Sequence, residues 1–192
     1  MFEQVCILLH RWQKEGKPLF PISVNLSRRH FQNADFLQQF HRIVQQYQIP
    51  PNVLEMELTE SIFFDDQSVE NVKTQIEIMH QMGFLCSLDD FGSGFSSLGL
   101  LKEFDVDNIK LDRRFFLDIE SEKARDIIES LIQLSQKLHI HSVAEGIETK
   151  EQLQFLQQIH CEMVQGYIYS KPLPVDEFEM WLEEQRHSNH PQ

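Results

Sequence analysis

An α/β fold of the TIM-type (β/α) barrel class is predicted, incomplete, with about six βα units after an opening helix. Three observations predict it. Short apolar runs rich in Val and Ile alternate with longer stretches of helical periodicity along the whole chain. No turn reads G-x-G-x-x-G, the phosphate turn expected of an open doubly wound sheet. Each apolar run also stops on a polar residue, and the carboxyl ends of the strands are where a barrel carries its chemistry.

Phe2, Val5, Cys6, Leu8, Leu9 and Trp12 recur at helical spacing until Gly16-Lys17-Pro18 stops them, so the chain opens on a helix over about 2–14. Residues 20–26 read as a strand, and Phe36, Leu37, Phe40, Ile43, Val44 and Tyr47 as the helix after it. Pro50-Pro51 punctuates; 53–58 is a second strand, and Val69, Val72, Ile76, Met79 and Met82 form a helix ending at Gly83. The unit recurs with strands near 84–89, 107–111, 140–144 and 162–164 and helices near 96–102, 123–138, 149–158 and 175–185. The barrel domain is expected over 1–186, with 187–192 a polar tail.

Composition narrows the function classes. The 192 residues carry 17 Lys+Arg against 30 Asp+Glu, a formal charge of -13, which repels phosphate backbones and argues against a DNA-coating role. Cys6, Cys86 and Cys161 are odd in number and unpaired in spacing, which suits buried free thiols in a reducing compartment. No stretch reaches the roughly 18 apolar residues of a membrane span, and Val5–Leu9 is too short for a signal peptide, so a cytoplasmic location is expected. His139 and His141 lack a nearby third ligand and read as surface histidines; Asp65-Asp66 reads as a solvated helix cap.

The strand ends carry the chemistry. Asn25 closes the first strand, Glu57 the second, Asp89 and Asp90 the third, Lys110 the fourth, Glu145 the fifth and Gln165 the last. One such residue commonly means a cap or a turn, but six in register on adjacent parallel strands converge on one mouth. The donors are oxygens, with one lysine, which suits Mg²⁺ or Mn²⁺ rather than zinc. Neighbouring Asp side chains repel unless a cation lies between them. Metal-assisted hydrolysis of a phosphate ester is the expected reaction class.

At these residues the sequence resembles the EAL domain family. The resemblance is carried by Ser23-Val24-Asn25-Leu26-Ser27, Glu57-Leu58-Thr59-Glu60-Ser61, Leu88-Asp89-Asp90-Phe91-Gly92-Ser93-Gly94, Ile109-Lys110-Leu111-Asp112, Val143-Ala144-Glu145-Gly146-Ile147-Glu148, and Gln165-Gly166-Tyr167 with Lys171-Pro172-Leu173-Pro174. It implies a barrel that hydrolyses cyclic di-GMP to linear pGpG with two Mg²⁺ or Mn²⁺ ions. By that resemblance Asn25, Glu57 and Asp89 ligate one metal, and Asp89, Asp90 and Glu145 serve the other or the bridging water. Lys110 would orient or activate the attacking water, acting as a base only if its pKa is depressed, or else balance the neighbouring carboxylates. Glu60 would steady the loop containing Phe91, Gly92, Ser93 and Gly94, through which the family couples substrate binding to dimer contacts. Glu148, Gln165 and Asp112 would lie on the substrate side. The resemblance further implies a homodimer and an upstream regulatory or GGDEF-type domain in a longer parent.

The family's name-giving Glu-Ala-Leu segment precedes the helix with which this chain opens and occurs nowhere in it. A complete barrel has eight strands in about 250 residues, so the first two strands are expected to be missing, with a metal-ligating Glu and a phosphate-contacting Arg. Weak catalysis is the corresponding expectation, and a non-catalytic module binding cyclic di-GMP or a protein is the alternative.

Overall fold

A computed structural model describes the chain apart from residues 32, 34, 60, 61, 63–68, 93–96 and 189–192. The opening helix α1, Phe2–Lys14, buries Phe2, Cys6, Leu9 and Trp12, the four- and three-residue spacing of one helix face. Six strands follow: β1 Ile22–Leu26, β2 Leu54–Thr59, β3 Leu85–Phe91, β4 Asn108–Leu111, β5 His141–Ala144 and β6 Met163–Val164. Between them run α2 Arg28–Phe31, α3 Phe36–Tyr47, α4 Val69–Gln81, α5 Ser97–Glu103, α6 Glu122–Lys137 and α7 Lys150–Gln158, and α8 Val175–Ser188 closes the chain. The sequence periodicity locates every strand and all the longer helices within a few residues. It misses the single turn α2 and a 3-10 turn at Arg113–Phe116, both too short to show a period. The last helix, expected near 175–185, runs on to Ser188.

The strands pair in parallel in strict chain order, β1 to β6, as strand-helix-strand crossovers require. Register sets Asn25 beside Glu57, Glu57 beside Ser87, Ser87 beside Asn108, and Lys110 beside Val143. With a side-chain period of two, one face of the sheet therefore carries Ser23, Asn25, Glu55, Glu57, Ser87, Asn108 and Lys110. The other face carries Val24, Leu26, Met56, Leu58, Cys86, Leu88, Ile109 and Leu111, all buried in the main hydrophobic core. The polar face bounds a cavity of about 750 Å³ reached by residues of all six strands, among them Ser23, Glu55, Leu85, Asn108, Val143 and Val164.

The edge strands β1 and β6 do not pair with each other among the described residues, yet the helical layer is continuous across the gap. Glu179 of α8 accepts from the Trp12 indole at 2.8 Å and from Lys17 Nζ at 2.8 Å, and is also paired with Arg11. Phe178 stacks on Trp12 at 6.3 Å, and Phe20, entering β1, touches both rings. At the far end of α1, Phe2 stacks on Phe40 of α3 at 4.0 Å. The last helix is thus fastened to the first, and α1 to the helix following β1. Trp12 is 1% exposed. Trp12→Ala is expected to cost about 3–5 kcal/mol in denaturant unfolding, whereas Met180→Ala on the exposed side of α8 should stay within about 0.5 kcal/mol.

Candidate active site

The carboxyl ends of the strands gather what the sequence places there. Lys110, on β4, is buried, and its ammonium donates to Glu57 Oε1 at 2.6 Å. It also lies 2.7 Å from Glu145 Oε1 and 3.5 Å from Asp89 Oδ1. One cation thereby joins β2, β3 and the residue that follows β5. Burial by itself would lower the lysine pKa, but the hydrogen bonds to Glu145 and Glu57 outweigh it and raise the pKa above the ordinary lysine value. With these carboxylates as its charged neighbours, Lys110 balances Glu57 and Glu145 as an ammonium.

Two consecutive aspartates would normally point to opposite sides of a strand. Here the β3–β4 register shifts between Leu88 and Phe91, and Asp90 adopts φ 55°, a left-handed conformation that Asp tolerates better than most residues. The bulge turns both side chains to the mouth, where oxygens of Asp89, Asp90 and Glu145 lie within 4.8 Å of one another. Burial, then the Asp89 and Asp112 charges, raises the Asp90 pKa. Burial likewise raises that of Glu145, and Asp89 and Glu57 add to the rise while Lys110 opposes it. Carboxylates held this way are short of positive charge. The donors are all oxygen, with Asn25 beside Glu57 in register, so the residues present fit hard divalent cations.

A pocket of about 230 Å³ adjoins the carboxylates, lined by Asp90, Asp112, Arg113, Glu145, Gly146 and Gln165. Asp112 caps the 3-10 turn by accepting from the Arg114 backbone at 2.8 Å, and its carboxylate takes the Arg114 guanidinium at 2.9 and 3.2 Å. The Arg114 contact holds the Asp112 pKa below the usual carboxylate value. Asp112 therefore enters the pocket already paired. Gln165 is fixed by its backbone, which donates to Ala144 O at 2.8 Å and accepts from Ile147 N at 3.1 Å. Gly92 follows the bulge at φ 89°, and any Cβ there would meet the Phe115 ring at 2.2 Å, so only glycine fits.

Asn25, Glu57, Asp89, Asp90, Lys110, Asp112, Glu145 and Gln165 all lie at this end of the sheet. Phe91 does not face the opening: it is 1% exposed and belongs to the core. Glu148 sits on the turn into α7, exposed, with its backbone N–H donated to Gln152, and does not line the pocket. Glu60, Ser93 and Gly94 lie outside the described residues, as do Asp65 and Asp66. Sequence reasoning missed Arg113, whose only signal is its place directly after Asp112, and Glu55, buried one inward position below Glu57. The expectation of three buried thiols needs one correction: Cys6 and Cys86 are buried, but Cys161 is partly exposed at the entry to β6.

The EAL domain family model matches residues 1–172. Cyclic di-GMP phosphodiesterase NbdA of Pseudomonas aeruginosa is 33% identical over 183 residues, 95% of this chain and 23% of NbdA. The chain spans under a quarter of the length of NbdA and of two further curated relatives, YkoW of Bacillus subtilis and DosP of Escherichia coli. Among solved structures, the EAL domain of Mycobacterium smegmatis DcpA superimposes with a TM-score of 0.87 at 28% identity, covering 95% of this chain and 82% of that one. The PaMucR phosphodiesterase in its c-di-GMP complex gives 0.83 at 29%, covering 92% and 71%. With a parallel sheet in barrel order, a cluster of carboxylates about Lys110 on its carboxyl edge and a family match over most of its length, this chain belongs to the EAL domain family.

Proposed function

We propose that this chain is a cyclic di-GMP phosphodiesterase domain that hydrolyses the dinucleotide to linear pGpG with two Mg²⁺ or Mn²⁺ ions. The observation that carries the reading is the meeting of Glu57, Asp89 and Glu145 around one buried ammonium, with an Asp90 oxygen close to those of Asp89 and Glu145. Asn25, Glu57 and Asp89 would hold one ion, and Asp89, Asp90 and Glu145 the other. When bound, the ions would supply the Lewis acidity that activates water and steadies charge on the phosphoryl oxygens. Lys110, its proton kept, holds Glu57 and Glu145 in place and donates toward a water or a phosphate oxygen in the same space. Arg113 and Gln165 line the pocket beside the carboxylates; Arg113 offers a guanidinium to a phosphate or a guanine edge, and Gln165 offers an amide.

Glu60 would steady the loop through Phe91, Gly92, Ser93 and Gly94, and a second copy of the chain would contact that loop in a homodimer. A regulatory or GGDEF-type domain upstream in a longer protein completes the proposal; the greater length of the relatives supports it. A cytoplasmic setting fits a nucleotide substrate, and among the described residues no helix is long and apolar enough to cross a membrane.

Incubated with cyclic di-GMP and Mn²⁺, the purified chain is expected to form pGpG slowly, read by chromatography. Asp89→Asn should reduce the rate about 100-fold or more, since a ligand to a catalytic metal contributes several kcal/mol. A folded, metal-binding chain that forms no product would overturn catalysis and favour a module that only binds the dinucleotide. Arg113→Ala is expected to raise KM about tenfold with kcat little changed, because it removes binding shared by ground and transition states.

Lys110→Met should lower the stability of the metal-free protein by about 3–5 kcal/mol, the cost of stranding buried carboxylates, and Mn²⁺ should restore part of it. Protons compete with the metal at Asp90 and Glu145, whose pKa values lie above the ordinary carboxylate range. Both must be ionised to ligate, so Mn²⁺ affinity by titration calorimetry should climb as pH rises from that range toward neutrality and then level off.

A further inference from the structure

We propose that His80, Cys86 and Asp107 form a second metal site, of zinc type, separate from the carboxylate mouth. His80 comes from the last turn of α4, Cys86 from β3, and Asp107 from the residue before β4. His80 Nε2 lies 3.0 Å from Asp107 Oδ2, and the imidazole nitrogen, thiol sulfur and carboxylate oxygen all fall within 4.8 Å of one another. Asp107 is held in place because its Oδ2 accepts the Cys86 N–H at 2.7 Å and its backbone N–H donates to Cys86 O at 2.8 Å.

The donor chemistry separates this site from the mouth. A thiolate, an imidazole and a carboxylate suit Zn²⁺ and its spectroscopic substitute Co²⁺, while Mg²⁺ does not select sulfur. Tetrahedral Zn²⁺ with ligands at about 2.0–2.3 Å sets them roughly 3.3–3.8 Å apart, so contraction by about 1 Å closes the set. Cys86 is fully buried, whereas the His80 and Asp107 side chains are 28% and 33% exposed, which leaves an entry route and a fourth position for water. On binding, the thiol proton leaves to solvent and a metal–sulfur bond forms, with no change of oxidation state. Cys86 also points away from the inner face and precedes Asp89 by three residues, about 10 Å along the strand, so neither site shares a ligand with the other. Such an ion would pin α4 to the entry ends of β3 and β4, stiffening the strand that carries the aspartates.

The test is titration of the metal-free chain with Co²⁺ in a Cys161→Ser background, which removes the partly exposed thiol near the His141–Glu162 pair. One equivalent should produce intense visible ligand-field bands with a near-ultraviolet thiolate charge-transfer band, displaced by Zn²⁺ and not by Mg²⁺. Cys86→Ser should abolish the charge-transfer band, His80→Gln should weaken the Co²⁺ affinity read from that band about tenfold or more, and Asp89→Asn should leave the band and the affinity read from it unchanged. Circular dichroism establishes that each variant folds, and His80→Gln, on a partly exposed helix end, serves should Cys86→Ser fail to do so. No thiolate band in the folded chain, a band that survives Cys86→Ser, or unchanged affinity in His80→Gln would overturn the site.

Discussion

The buried ammonium of Lys110 is the constraint on which the mouth of this barrel depends. Four carboxylates around one opening would repel each other and the fold with them, were it not for one fixed positive charge among them. Lys110 supplies it at hydrogen-bonding distance from Glu57 and Glu145 and within ion-pair distance of Asp89. Burial first, and then the charges of neighbouring carboxylates, raises the pKa values of Asp90 and Glu145, while Lys110 holds the Glu145 value down. Lys110 alone leaves the set electrostatically unsatisfied, with oxygens of Asp89, Asp90 and Glu145 within 4.8 Å of one another.

Everything that brings these groups together is backbone geometry. Parallel pairing in chain order aligns the strand ends, the register seats Asn25 by Glu57, and the bulge at Asp89-Asp90 presents two neighbouring side chains to the same space. The helices keep that geometry by burying the opposite face of each strand. The fastening of α8 to α1 through Glu179, Trp12 and Phe178 joins the last helix of the layer to the first.

The strand ends are legible in the sequence because a buried strand is apolar, so an Asn, Glu or Asp at its end stands out. The alternation of strands and helices alone assigns Asp89, Lys110 and Glu145 to one mouth. What the sequence hides follows from distance in space. The protonation of Lys110 depends on Glu57 and Glu145, which lie 53 and 35 residues away, and the α1–α8 closure joins residues 167 apart. Asp90 faces the mouth only because of a left-handed φ, which no periodicity announces. Glu148, expected on the substrate side from the resemblance, is exposed on the turn into α7 with its backbone N–H bonded to Gln152, and Phe91 is drawn into the core. His80, Cys86 and Asp107 give no sequence signal, since their spacing becomes a cluster only once α4 packs beside β3 and β4.

If the carboxylates around Lys110 are a divalent-cation site for phosphate-ester chemistry, the ions themselves should be visible there. Anomalous scattering from crystals of the chain soaked with Mn²⁺ is the decisive measurement, since it locates the ions independently of turnover. Manganese peaks are expected in the space bounded by Asn25, Glu57, Asp89, Asp90 and Glu145, with Lys110 still beside them. Crystals in which those carboxylates remain closed on Lys110 and manganese binds only elsewhere would contradict the assignment.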